Sequence, residues 1–412
     1  MLNGLHTALS IACVGVLVTV ASGSGLTQSA GPAGGAAPSG EVRAMWVQRG
    51  SLASPRMIFS AVEMARAGGF NTLIVQVRGR GDAFYESRYE PRSFVLARQP
   101  ASFDPLAVML ATAHRAGLKV HAWVNVNLVS DAEPPAARRH IVYVHPEWLM
   151  VPRPLALDLV RMNPKSAEYL KRLSDYTKAR TDRLEGLFLS PLHEDAVEYT
   201  VRVIGDIADR YDVDGIHLDY IRFPNDEFDY SARALEEFRS AVTATASGSE
   251  RREYASRARG RPLFYTEMFP QRWQEFRRAQ LTALLTKIRS TVKARRSNAM
   301  LSAAVFPDAT EAANHRFQEW GHWLESGLLD AICPMAYTTD PTLFRAQITN
   351  VKHLAGTRPV WAGIGAYQLS PNATIENIRA ARQLGADGFV LFSYDNLNAS
   401  YVTTVAKEAF AR

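Results

Sequence analysis

Cysteine is nearly absent: Cys13 and Cys333 are the two thiols in 412 residues. That count excludes a zinc site built on cysteine ligands. Cys13 lies in an N-terminal apolar segment, so its removal would leave one thiol and no intramolecular disulfide. Cys333 sits in an apolar run and reads as a core residue. Basic runs are missing too. The net charge is +6, and the arginine pairs at 138–139, 251–252 and 295–296 stand isolated, as solvated surface does; no nucleic-acid partner is expected. No apolar run reaches the ~20 residues of a membrane-crossing helix. Neither H-x-H nor H-E-x-x-H spacing occurs, which argues against a histidine-based metal centre. No glycine fingerprint follows the first strand, which disfavours a doubly wound dinucleotide fold. Neither a metal nor a cofactor is expected.

The N-terminus carries an apolar core within "ALSIACVGVLVTVASGSG", followed by small and uncharged residues. Residues 1–25 read as a signal peptide and 26–40 as a flexible linker, although the leading segment has no Lys or Arg. The expected location of the mature chain, 41–412, is therefore secreted or periplasmic, with no stable membrane span once the signal is gone. Its oligomeric state is left open.

From Glu41 onward, short apolar strands alternate with amphipathic helices. Strands are expected at Val42–Arg49, Asn71–Arg78, Lys119–Asn127, Asp214–Ile221, Met300–Pro307, Asp330–Tyr337, Pro359–Tyr367 and Asp387–Asp395. Stretches such as "DPLAVMLATAHRAG" and "TIENIRAARQLGA" repeat apolar residues at helical spacing. Eight such units predict a (β/α)₈ TIM barrel of the α/β class. Two segments, 128–191 and 225–271, exceed what a barrel needs and predict enlarged loops after strands three and four.

Alternation along a strand separates lumen from helix layer. In "DGIHLDYIRFP", Ile216 and Leu218 share one face, and His217 and Asp219 share the other. The third strand turns His121, Trp123 and Asn125 inward; the second turns Gln76 and Arg78 inward, with Asp82 just beyond. A carboxylate at the mouth of a barrel strand has few structural reasons to be there, so Asp219 is the leading catalytic candidate. His121 and His217 are read as positioning groups. The aromatics Trp46, Trp123, Tyr220, Tyr337, Trp361 and Tyr394 fall within or at the ends of strands, about half of them as core. With Arg222 and Asp395 they suit a sugar, whose C–H faces stack and whose hydroxyls bond polar groups.

"NTLIVQVRGRGDAFYESRYEP", "FDPLAVMLATAHRAGLKVHAWVNVN" and "RYDVDGIHLDYIRFP" closely resemble the glycosyl-hydrolase-like family ten. The resemblance runs from about Val42 through "GFVLFSY". It implies a TIM barrel, export and hydrolysis of glycosidic bonds, in some relatives those of bacterial cell-wall glycan. Asp219 matches the family's acid at the end of the fourth strand. Arg78 and Asp82 match its R-x-x-x-D segment, and His121, Trp123 and Asn125 its third-strand motif. Many relatives carry a second Asp where this chain has Tyr220, and a Pro where it has Val126.

Glycoside hydrolysis usually needs two carboxyl groups. Asp219 is assigned as nucleophile or base, kept ionised by Arg78 or Arg222. Glu267 is assigned as general acid, because "FYTEMFP" surrounds it with apolar and aromatic residues that would raise its pKa. The substrate-binding set is Arg78, Asp82, His121, Trp123, Asn125, His217, Tyr220, Arg222, Tyr337, Tyr394 and Asp395. Two alternatives stand beside the glycosidase: a non-catalytic glycan-binding barrel, and a metal-dependent hydrolase using His121, His217 and Asp219.

Overall fold

The computed structural model describes residues 40–410. The expected signal peptide, and all of the expected linker except Gly40, lie outside the described residues. Among the described residues there are ten strands: β1 (Val42–Val47), β2 (Thr72–Arg78), β3 (Lys119–Asn125), β4 (Leu128–Ser130), β5 (Leu187–Phe188), β6 (Gly215–Asp219), β7 (Met300–Val305), β8 (Ala331–Ala336), β9 (Trp361–Ile364) and β10 (Gly388–Leu391). All but β4 and β5 close into a parallel barrel in the order β1-β10-β9-β8-β7-β6-β3-β2. Closure is made by β1, whose Val42 pairs with Gly388 of β10 and whose Ala44 pairs with Thr72 of β2. The expected (β/α)₈ TIM barrel is the observed fold, with each expected strand present and shorter by one to five residues.

Cap chemistry written in the sequence starts several of the outer helices. Ser54–Pro55, Asp104–Pro105, Asp340–Pro341 and Ser370–Pro371 each place a side-chain oxygen on a free N–H of the first turn, followed by a proline whose fixed φ suits that turn. The apolar stripes of these helices cover the outward residues of the strands, such as Leu73, Val75, Ile216 and Leu218. Each fully buried aliphatic side chain contributes roughly 1.5–3 kcal/mol. The lumen is a separate small core of Ala44, Trp46, Ile74, Trp123, Ala331, Cys333, Trp361 and Val390. Cys333 is buried there as a free thiol.

Both long segments are structured. In the first, β4 and β5 form an antiparallel pair. They cover a second core with Trp148, Leu149, Leu170 and Leu173, to which helix Ala167–Lys178 contributes. The second segment folds into helices Ala232–Ala244, Gly248–Arg257 and Phe264–Met268, which lead into the 26-residue helix Pro270–Arg295. No helix among the described residues is long and apolar enough to cross a membrane.

Candidate active site

The C-terminal ends of the barrel strands surround a cleft of about 550 Å³. Trp46 and Gln48 come from the end of β1, Trp123 and Asn125 from β3, Asp219 from β6, and Tyr337 from just past β8. Tyr220 and Arg222 follow Asp219 into the same wall. Parity therefore placed Trp123, Asn125 and Asp219 on the correct side.

Asp219 is partly buried and accepts two hydrogen bonds from neutral donors. The Tyr220 N–H reaches its Oδ1 at 2.7 Å, and the Trp123 indole Nε1 reaches its Oδ2 at 3.1 Å. The same indole N–H also reaches Asn125 Oδ1 at 3.0 Å, so β3 holds its own polar residues in register with the acid on β6. Tyr220 has φ of 51°, a left-handed conformation that costs a non-glycine residue energy and turns the chain sharply after the acid. Low-dielectric surroundings push the Asp219 pKa from the ordinary 3.8 up to about 6, against the opposing bonds from Tyr220 and Trp123 and the charge of Arg222.

That environment differs from the expected one, in which Arg78 or Arg222 keeps Asp219 ionised. Arg78 is fully buried and pairs with Glu90 at 2.7 Å. It also donates to the carbonyls of Asn125 and Val126. The ladder between β2 and β3 slips between Gln76 and Arg78, so alternation fails there. Gln76 lines the cleft and Arg78 does not. Arg222 reaches the cleft, but its guanidinium pairs there with a second carboxylate rather than with Asp219.

Its partner is Glu185, which the sequence reading did not single out. Glu185 Oε1 lies 2.6 Å from Arg222 Nη2, lines the cleft, and its charge helps raise the Asp219 pKa. Glu185 is carried on the chain entering β5. The next residue, Gly186, approaches β4 so closely that an added Cβ would lie 1.8 Å from the Ser130 carbonyl oxygen. Glycine alone permits this approach, and it places the Glu185 backbone against the end of β4.

Other expected residues lie elsewhere. His217 accepts from Trp46 Nε1 at 3.3 Å and bonds Ser302 Oγ at 2.9 Å; burial lowers its pKa to about 3. His121 is buried edge-on to Trp361, with its pKa lowered to about 4. Both are neutral lumen residues beneath the cleft. Asp82 closes its own turn by accepting from the Arg80 N–H at 3.1 Å. Asp395 accepts from the Gln48 N–H and the Ser51 hydroxyl, and Tyr394 packs against the outer core; neither lines the cleft. Glu267 is exposed and paired with Arg261 at 3.1 Å. Phe264, Tyr265 and Thr266 face inward from a single helical turn, and Glu267 lies with Met268 on its solvent side, so the apolar environment expected for it is absent. Among the described residues, no group of three or more His, Cys, Asp or Glu side chains is arranged to hold a metal ion.

A barrel with a carboxyl group on the fourth of its strands and aromatic walls at its C-terminal mouth has relatives. The profile of the Glycosyl hydrolase-like 10 family matches residues 41–364. The chain belongs to that family. It is 23% identical over 375 residues to "Glycosyl hydrolase YngK" of Bacillus subtilis, covering 80% of this chain and 61% of the relative. It is also 23% identical over 286 residues to "Glycosyl hydrolase DigH" of Escherichia coli K12, covering 65% and 55%. The chain thus spans about three-fifths or less of the length of these relatives. In fold it resembles the glycoside hydrolase domain of PgaB (BpsB) from Bordetella bronchiseptica, with a TM-score of 0.61 and 15% identity over 89% of this chain and 99% of that one. A β-galactosidase from the psychrophilic Marinomonas ef1 aligns with a TM-score of 0.58 and 12% identity, covering 88% and 58%.

Within this Glycosyl hydrolase-like 10 chain, the family motifs divide into two groups. Trp123, Asn125 and Asp219 meet in the cleft, whereas Arg78, Asp82 and His121 support it from below or beside it. Phe392 and Phe306 also line the cleft, and Phe392 stacks on Tyr337 with centroids 5.4 Å apart. Phe392 stood visible in "GFVLFSY" as an aromatic at a strand end. Glu185 had no such signal, because a two-residue strand has too little alternation to read.

Proposed function

We propose that the protein is an exported glycoside hydrolase acting on a polysaccharide or oligosaccharide, with bacterial cell-wall glycan as a leading candidate. One observation carries the reading: two carboxyl groups, Asp219 and Glu185, line a single aromatic-walled cleft at the mouth of the barrel. Partly exposed faces at Tyr337 and Phe392 stack a sugar ring and Gln48 offers a polar group for its hydroxyls, while the buried Trp46, Gln76 and Asn125 back them.

A pKa near 6 suits Asp219 to proton donation more than to the nucleophile or base role read from sequence. In the proposed step its proton passes to the glycosidic oxygen as the bond from that oxygen to the anomeric carbon breaks. Glu185, ion-paired with Arg222, supplies the second carboxylate, which either bonds the anomeric carbon as a glycosyl ester that water then cleaves or takes a proton from the water that attacks that carbon directly. Its distance from Asp219 about the bound sugar sets the stereochemical outcome, ~5–5.5 Å for retention and ~6.5–9.5 Å for inversion. Trp123 orients Asp219, and Tyr220 stacks beneath the Arg222 guanidinium at 4.7 Å.

The non-catalytic reading has one observation in its favour. The end of β7 brings no carboxyl group to the cleft, since Asp308 is spent on capping helix Ala309–His315. Incubation with a panel of glycans, cell-wall strands included, decides between the two. New reducing ends that disappear in Asp219→Asn support hydrolysis; binding of a glycan without turnover supports the other reading.

A further inference from the structure

Three guanidinium groups reach the cleft, those of Arg49, Arg80 and Arg222. Two already have carboxylate partners. Arg222 pairs with Glu185 at 2.6 Å, and Arg80 Nε pairs with Asp131 at 2.5 Å while its Nη1 donates to the Gly79 carbonyl at 3.0 Å. The Arg49 guanidinium has neither an ion pair nor a hydrogen bond among the described residues; its backbone N–H alone is engaged, by Gln76 Oε1 at 3.4 Å. Burial and the Arg80 charge lower its pKa, with the charges of Asp82 and Asp131 opposing more weakly. A cation held in a cleft without a partner favours an anionic ligand.

The surrounding structure holds Arg49 in that state. Arg49 opens the 3₁₀ turn Arg49–Leu52 directly after β1. On either side of it, the Gln48 N–H and the Ser51 hydroxyl both donate to the Asp395 carboxylate, at 2.8 and 2.7 Å. The turn is therefore tied to the chain after β10 at two points. The side chain lies across Gly79, where an added Cβ would come within 2.3 Å of Nη1. Bare backbone at Gly79 is what lets the guanidinium lie beside the cleft. Asp395 thus acts on the cleft from outside it, through the turn that carries Arg49.

We propose that Arg49 is a specificity residue that binds the carboxylate of an acidic sugar in the cleft. The inference rests on the reading that the cleft accepts a glycan. The planar guanidinium matches a carboxylate with two parallel N–H donors, a geometry that lysine cannot reproduce. A charged hydrogen-bonded pair of this kind is worth ~1.5–3 kcal/mol, or roughly a ten- to hundredfold difference in affinity.

Two matched probes test it: a tetrasaccharide of N-acetylglucosamine, and the tetrasaccharide of the same linkage in which alternate rings carry a lactyl carboxylate. A third probe, the methyl ester of the acidic one, keeps its bulk and removes its charge. Affinities are measured by calorimetry on the Asp219→Asn protein, so that turnover does not interfere, and on the same protein also carrying Arg49→Gln. The expected result is tighter binding of the acid by roughly tenfold or more over both other probes. That preference weakens as salt is added and is lost with Arg49→Gln. Equal affinity for acid and ester, binding of none of the probes, or a preference that survives Arg49→Gln overturns the proposal. The comparison of acid with ester needs no Arg49 variant, so it stands even if Arg49→Gln fails to fold. Turnover by the wild-type protein is scored separately. Acid preference without hydrolysis would sink the glycosidase and leave Arg49 in place; equal hydrolysis of acidic and neutral glycans would do the reverse.

Discussion

The Arg78 guanidinium meets the Glu90 carboxylate at 2.7 Å, with both side chains sealed from solvent. Tyr199 adds its hydroxyl to the same carboxylate at 3.3 Å. The pair ties the end of β2 to the loop that follows it, and through the Asn125 and Val126 carbonyls to the end of β3. Removing one partner leaves the other charged and buried. Glu90→Gln is therefore expected to cost about 3–5 kcal/mol of stability. Urea unfolding checks the cost, and glycan affinity of the folded fraction checks the role. A fall in affinity at unchanged stability would return Arg78 to the substrate-binding set.

Asp219→Asn is expected to abolish hydrolysis and to stabilise the fold at neutral pH. The folded-state pKa of Asp219, about 6, lies above its ordinary 3.8. The folded protein therefore holds this proton more tightly than the unfolded chain, and the group's contribution to stability falls as pH rises from about 4 to about 6. Above that window the ionised carboxylate costs about 3 kcal/mol, which the neutral amide avoids. Melting curves at pH 4 and pH 7 should show the variant gaining on wild type only at the higher pH. An equal or lower melting temperature at pH 7 contradicts the assigned environment.

Trp123→Phe keeps most of the ring and removes the indole donor to Asp219 and Asn125. That donor favours the ionised acid, so its loss should carry the Asp219 pKa above 6. As a proton donor Asp219 loses activity as pH rises through its pKa, so the alkaline limb of the rate profile should move to higher pH in the variant. A limb that stays in place removes Trp123 from the control of this acid. Trp123→Ala, by contrast, opens a cavity in the lumen core and should cost ~3–5 kcal/mol.

Glu185→Gln and Gly186→Ala test the second carboxyl by different routes. The first removes the charge and should lower turnover of a glycan substrate at least about a hundredfold, given what positioned acid–base groups contribute. The second keeps Glu185 but forces β5 away from the Ser130 carbonyl. It should lower turnover as well, while circular dichroism shows the barrel intact. Wild-type rates in Glu185→Gln would return the search to other carboxyl groups.

Export predicts a mature N-terminus between Gly23 and Gly40, where small residues offer the cleavage zone. Mass spectrometry of protein recovered from its native host checks it, and an intact Met1 removes the proposal.

The order of eight strands, the lumen-facing set on β3 and β6, and the placement of Asp219 at the mouth of the barrel followed from local pattern alone. Strand alternation and helical spacing are properties of adjacent residues, and they survive wherever the ladder is regular. Where the ladder slips, at Gln76 and Arg78, the same alternation pointed Arg78 at Asp219, and the structure turns it to Glu90. Glu267 shows a second limit: apolar neighbours in sequence become a buried face only once the chain has coiled, and the coil left the carboxyl on the outside. Glu185 shows a third. It lies 34 positions before Asp219 in a segment with little periodicity, and a close contact between Gly186 and Ser130 brings it to the mouth. The composition of the site therefore depended on contacts between distant residues. Such contacts are set by packing of the whole barrel and its insertion, and no short window of sequence contains them.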